Sequence, residues 1–270
     1  MPLDAKFFEI AEPLRVPSMG TEHVALLLYS LVSMLRPRSV LEIGAGYTTL
    51  FLARALADAK SEADRDRNRT QAESAGDQRL QILSDEALRD YQPCLYVIDD
   101  LSYPDTSSST VENAFDRLGV ADIARFITAN FRGASRLLPA SAVPVDFVWF
   151  DCGAATDAGV TFLNEYWPLV NENGGVIAFH SLHVALKGVP PERSGFRIPS
   201  PLLNELRKRQ VDAGRRRQFE LVSLVEPHKI LQGDVTILTK VGGLNQIRDL
   251  PFEEDAIRFG GFTADHIIQL

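Results

Sequence analysis

Two cysteines among 270 residues, Cys94 and Cys152, are too few for a disulfide scaffold and show no metal-type pairing. Each sits in an apolar, strand-like run, so both read as small core residues of a protein from a reducing compartment. Long hydrophobic runs are missing too. The longest apolar stretch, around Val24 to Leu35, is interrupted by Tyr29, Ser30 and Ser33, and no membrane span is expected. The first residues include Asp4, Lys6 and Glu9 in place of the basic start and apolar centre of a secretory signal, which makes the cytoplasm the expected location. Positive charge is in deficit, with 28 Lys and Arg against 36 Asp and Glu. The net charge of −8 disfavours a broad polyanion-binding surface. There is no internal repeat and no collagen-like or glutamine-rich tract.

What is present is the composition of an ordinary globular enzyme, 45% hydrophobic and 24% charged, over a length that buries the core of one domain. Its most informative segment is Val40-Leu41-Glu42-Ile43-Gly44-Ala45-Gly46-Tyr47-Thr48-Thr49. Ser39 to Ile43 reads as a buried strand, Gly44 and Gly46 permit close backbone approach, and Thr48 or Thr49 can cap the helix that follows. This is the pattern of a nucleotide-type loop. A dinucleotide fingerprint requires a third glycine three positions after the second, where this chain has Thr49. Glu42, two residues before the first glycine, would oppose a diphosphate but could accept hydrogen bonds from a cationic amino-acid end. Both features favour S-adenosylmethionine, which carries an ammonium and a sulfonium and no phosphate. The Glu-x-Gly-x-Gly pattern resembles the first motif of the class I S-adenosylmethionine-dependent methyltransferases.

The remaining elements fit that resemblance. Thr21 to Leu35 reads as a helix leading into the first strand, and the helix from Thr48 to about Ala59 runs into a polar stretch, Lys60 to Gln78, read as either a solvated helix extension or a mobile insertion. Strands are expected at Leu95 to Asp100, Ala124 to Phe131, Val145 to Asp151 and Val176 to His180, with helices at Val111 to Leu118 and Phe162 to Val170. Phe219 to Val225 and Val235 to Lys240, with no helix between them, read as a hairpin. The expected fold is α/β: a doubly wound, mostly parallel seven-stranded sheet with a C-terminal antiparallel hairpin. Within it, residues 1–38 would form a helical cover over cofactor and substrate, 39–241 the cofactor-binding domain and 242–270 a tail.

An open α/β sheet binds ligands at the C-terminal edge of its strands, so Glu42, Asp99, Asp100, Asn130, Asp151 and His180 are candidates by position. The resemblance implies a ribose-binding acid at the end of the second strand, matched by Asp99 with Asp100 beside it, although the interval from Gly46 far exceeds the roughly 20 residues usual for such a pairing. Tyr47, Thr48 and Thr49 would lie over the methionine portion. Met19, Gly20 and Thr21 resemble the segment that closes over the cofactor in small-molecule O-methyltransferases. Asp151 looks like the acid of the fourth motif, which ligates a divalent metal in catechol-type relatives. Here the following strand ends in Phe179-His180-Ser181 and lacks their Asp-Asn pair, so no metal is expected, and a softer ion held by Asp151, His180 and His183 has only weak support.

His180 is the better candidate for a proton acceptor beside the methyl donor. His183 ranks below it, while His23 on the leading helix and His228 in the hairpin connection read as structural or exposed. Residues 185–199 are too proline-rich for an ordinary connection and suit a lid or acceptor-binding segment. Arg207-Lys208-Arg209 and Arg215-Arg216-Arg217 lack interleaved aromatics and read as a solvated helix face. The expected activity is methyl transfer to a small metabolite, with no nucleic-acid or membrane partner and with a homodimer left open. Two alternatives keep the cofactor: a cyclase releasing methylthioadenosine and azetidine-2-carboxylate, and a non-catalytic binder. A nicotinamide-dependent oxidoreductase ranks last.

Overall fold

The computed structural model describes residues 3–72, 89–103, 106–152, 156–184, 198–212, 219–229 and 232–242. Two helices, α1 (Ala5–Ala11) and α2 (Glu22–Leu35), precede strand β1 (Ser39–Ile43). The sequence reading did not foresee α1. Asp4 caps it, its carboxylate accepting the Phe7 amide at 2.8 Å, and Phe7 packs edge-on against Phe51 at 4.8 Å. Helix α2 ends at Arg36 in a left-handed conformation, φ 46°, with the guanidinium 3.1 Å from Glu62 and 3.3 Å from Asp66.

Helix α3 (Tyr47–Ala72) contains those two acids and continues through the polar stretch. Leu50, Phe51, Leu52, Ala53, Ala55 and Leu56 are buried in its first turns, and beyond Lys60 cohesion comes from charge: Lys60 with Asp64, and Arg67 with both Asp64 and Asp90. Lys60 to Ala72 thus continues the helix, partly solvated but with Ala63 packed against Ala59 and Tyr91 and Asp66 buried, and 73–78 lie outside the described residues.

The sheet then builds outward from β1. It comprises β2 (Cys94–Asp99), β3 (Ala124–Thr128), β4 (Phe147–Phe150) and β5 (Asn173–His180), with α4 (Val111–Leu118) before β3 and α5 (Thr156–Thr161) before β5. A short antiparallel pair, β6 (His183–Val184) with β7 (Ile198–Pro199), precedes α6 (Pro201–Asp212), and the hairpin β8 (Phe219–Val225) with β9 (Asp234–Val241) completes the sheet. The order β3-β2-β1-β4-β5-β9-β8 is parallel through β5 and antiparallel thereafter, the doubly wound sheet with a terminal hairpin that the element order predicts. Among the described residues, no helix is long and apolar enough to cross a membrane.

Strand alternation sends Val40, Val97 and Trp149 to a core shared with α1 to α4, and Leu41, Ile98 and Phe150 to a second core with α5 and α6. Residues 3–38 thus pack into the same core as the strands after them. Several boundaries differ from expectation, with β2 ending at Asp99 and β4 at Phe150, so that Asp100 and Asp151 stand just beyond their strands. Strand β3 stops at Thr128, leaving Asn130 in the loop beyond, and the Phe162 to Val170 segment is a π-helical turn followed by a 3₁₀ turn containing Pro168. Register brings the strand ends level: Ile43 pairs with Ile98 and Phe150, and Phe150 with Phe179.

Lys240 fastens β9 to the chain preceding β5. Its buried ammonium donates to the Trp167 carbonyl at 2.7 Å, the Val170 carbonyl at 3.2 Å and Glu172 Oε1 at 2.7 Å. Lys240→Met keeps the aliphatic stem but orphans the carbonyls, so urea unfolding is expected to show a loss of about 2 kcal/mol. A loss below about 0.5 kcal/mol would contradict this role.

Candidate active site

The level strand ends form the floor of a cavity of about 670 Å³. Gly44, Gly46, Tyr47 and Thr48 from the β1–α3 turn line it, as do Asp99, Asp100 and Asn130 on one side and Asp151 and His180 on the other. Met19 and Thr21 complete it from the N-terminal segment. Among the candidates from the sequence within the described residues, Gly20, Glu42 and Thr49 do not line the cavity.

The turn is built by its hydrogen bonds. Gly44 has φ +98°, and a Cβ there would stand 2.8 Å from the Asp151 carbonyl oxygen, so glycine is required twice over. At Gly46 a Cβ would meet only Ser107 Oγ at 3.6 Å; the missing side chain keeps the cavity open. The Gly44 amide donates to the Ile98 carbonyl at 3.0 Å, the Ala45 amide to Asp99 Oδ2 at 2.7 Å and the Gly46 amide to Thr49 Oγ1 at 2.8 Å. Thr49 thus caps α3 from its third residue, reaching back to the amide that precedes the helix. Three successive amides of the turn are thus occupied by protein acceptors, one of them a carboxylate.

Glu42 requires a correction. Its side chain is fully buried, on the same strand face as Val40 and towards α3, and does not reach the cavity. Oε1 accepts the Thr48 hydroxyl at 2.8 Å and Oε2 has no hydrogen-bond partner. Burial pushes the acid up to about 8 against the Thr48 and Thr49 hydrogen bonds, and the Asp151 and Asp99 charges add to the rise. At neutral pH Glu42 is a mostly neutral acid beneath the loop. The carboxylate that meets the glycine loop at the cavity is that of Asp99.

Asp99 Oδ1 also accepts the Leu101 amide, at 2.6 Å. Asp100 accepts the Ser102 hydroxyl and amide on Oδ1 and Asn130 Nδ2 at 2.8 Å on Oδ2; the Ser102 hydroxyl, its amide and Asn130 together hold the acid below its ordinary range. Two carboxylates therefore project from the end of β2, each with lone pairs left for hydroxyl donors.

Across the cavity, His180 Nδ1 is 2.8 Å from Asp151 Oδ1 and the ring stacks obliquely on Trp149. Nε2 is buried and makes no complete hydrogen bond, though the Gln232 carbonyl lies close enough to favour a proton there. Burial alone would push the imidazole down, but the Asp151 charge and hydrogen bond outweigh it and the ring is raised above its ordinary value. His183 Nδ1 turns instead to Asp234 Oδ2 at 3.0 Å, so Asp151, His180 and His183 do not converge on an ion. Cys152 also lines the cavity, its thiol pushed up by burial into an unreactive range.

Sequence reasoning missed Gln232. Gly20 (φ +64°) lies so close that a Cβ would stand 2.5 Å from the Gln232 carbonyl, and both Thr21 and Gln232 line the cavity. No local pattern announces a contact between chain segments so far apart. Thr21 makes no capping hydrogen bond at the start of α2. The expected lid, residues 185–199, falls outside the described residues except for Ile198 and Pro199.

A test concerns Glu42. Because its folded value is raised, it contributes stability that is fully present below its unfolded value near 4.5 and is lost as pH rises through about 8. Unfolding free energy is therefore expected to fall across that window in the wild type and to vary less in Glu42→Gln. Parallel pH profiles for the two proteins would refute a buried neutral acid.

Comparison with known proteins bears on this geometry. Residues 41–182 match the model of a family described as a methyltransferase domain. The fold is similar to that of the O-methyltransferase TomG from Streptomyces achromogenes, involved in tomaymycin synthesis and solved with SAM. The TM-score is 0.53 at 17% identity, covering 88% of this chain and 91% of that one. It is also similar to the SAH-bound Podospora anserina methyltransferase PaMTH1, with TM-score 0.51 at 15% identity and 88% of each chain covered. No curated protein sequence matches. Since the family model spans more than half of the 270 residues, from the glycine loop through the end of β5, the chain belongs to the methyltransferase-domain family.

Proposed function

We propose that the protein transfers the methyl group of S-adenosylmethionine to a nucleophile on a small metabolite, with His180 as general base and Asp151 positioning it. The observation that carries the proposal is that His180 lines the same cavity as the glycine loop while Asp151 holds its Nδ1. The residues present suit the cofactor. Gly46 leaves the loop side open, the Ala45 and Gly46 amides already have protein acceptors, and the β2 carboxylates retain acceptor capacity for a ribose diol. A cavity of about 670 Å³ fits the range of small-ligand sites. The net charge of −8 supports a small-molecule acceptor over a polyanion. TomG, an O-methyltransferase, supports a hydroxyl acceptor.

S-adenosylmethionine, when bound, supplies a methyl carbon activated by positive sulfur. The protein contributes orientation and proton removal. Asp151 accepts from Nδ1–H and so directs the basic lone pair of the neutral ring to Nε2, where a proton from the acceptor can be taken. As the imidazole becomes cationic, the Asp151 carboxylate and Gln232 carbonyl stabilise it. Glu42 acts beneath the loop through Thr48.

Incubation with S-adenosylmethionine and metabolite extract is expected to give S-adenosylhomocysteine that depends on an acceptor; methylthioadenosine formed above the spontaneous background with cofactor alone would contradict methyl transfer. His180→Ala is expected to lower kcat by about 10²–10⁴-fold while cofactor affinity changes less than about threefold. Only the neutral ring accepts a proton and the ring is raised, so wild-type kcat is expected to climb with pH through a midpoint above about 6.5. Asp151→Asn removes the charge responsible and should move that midpoint down. An unchanged midpoint, or an unchanged kcat in His180→Ala, would overturn the assignment.

A further inference from the structure

The geometry points to a divalent transition-metal site, separate from the cavity, formed by His23, Glu226 and His228 where the start of α2 meets the turn between β8 and β9. One donor atom from each residue lies within 4.8 Å of the others. His23 Nδ1 is 2.5 Å from Glu226 Oε2, and His228 Nε2 is 3.4 Å from that oxygen. Ligands held at about 2.0–2.1 Å around a tetrahedral zinc ion stand about 3.3 Å apart, so the spacing already approximates one coordination shell. The side chains of His23 and His228 are 57% and 60% exposed, leaving both rings room to rotate onto an ion. The rings approach from different directions, their planes 67° apart.

The donor set selects the ion. Two imidazoles and one carboxylate suit Zn²⁺ and its first-row neighbours, whereas Ca²⁺ and Mg²⁺ require a shell of oxygens. The carboxylate is already supported from behind, because Lys229 Nζ donates to Glu226 Oε1 at 2.9 Å and to Glu22 Oε1 at 2.9 Å.

The location gives the ion a purpose. Lys229 Nζ donates to the Gly20 carbonyl at 2.8 Å, and Gly20 abuts Gln232, so the same junction carries the Met19–Thr21 wall of the cavity. An ion at His23, Glu226 and His228 would fasten that wall to the β8–β9 turn across 203 positions of sequence.

The test uses tag-free, full-length protein stripped with a chelator. It is titrated with Zn²⁺ by calorimetry, and with Co²⁺ by absorption, at about pH 8, where ordinary imidazoles are neutral. The wild type is expected to bind one equivalent and give a Co²⁺ ligand-field band. His23→Ala and His228→Ala are each expected to weaken binding at least tenfold, and the double variant to lose both equivalent and band. Absence of a saturable equivalent in the wild type, or its persistence in the double variant, would overturn the site and leave a hydrogen-bonded network only.

Discussion

The hydrogen bond from the Ala45 amide to Asp99 joins the β1–α3 turn to the end of β2, and the chemistry of the cavity depends on it. It fixes the loop against its neighbouring strand and spends an amide that a phosphate ester would otherwise engage. It also places a negative charge where a diphosphate would bring its own. A glycine-rich turn is generic in α/β proteins. What distinguishes this one is that its donors already have acceptors, with Thr49 taking Gly46 and the Ile98 carbonyl taking Gly44.

A second constraint radiates from Asp151. Its carboxylate holds His180 and raises it, and its charge reaches Glu42 beneath the loop and raises that group as well. One acid thus raises two neighbours: a histidine kept ready to hold a proton, and a glutamic acid that burial already keeps mostly neutral. The Gly44 turn passes within contact distance of the Asp151 backbone, so the base and the loop are parts of a single packed unit. A change at Gly44 would displace both.

The sheet and most of the cavity were legible in the sequence because a parallel strand buried on both faces leaves a continuous apolar run. Val40 to Ile43 and Phe147 to Phe150 are buried at every position, and parallel order forces their polar ends to one edge. The burial of Glu42 was less visible, although the alternation between Leu41 and Ile43 carried the signal for its face. Its direction relative to the ligand depends on how α3 packs. The length of α3 was obscured because its outer half is held by partners such as Arg36 and Asp90, which lie in other segments. The short helix α1 depends on Phe7 reaching Phe51, and the Gln232 contact with Gly20 on tertiary folding alone.

The most direct measurement is calorimetric titration of the wild type and Asp99→Asn with S-adenosylmethionine, with NAD as competitor. The account predicts saturable binding by the wild type, at least tenfold weaker binding by the asparagine variant, and no displacement by NAD. Displacement by the dinucleotide, or equal affinity in the two proteins, would contradict it.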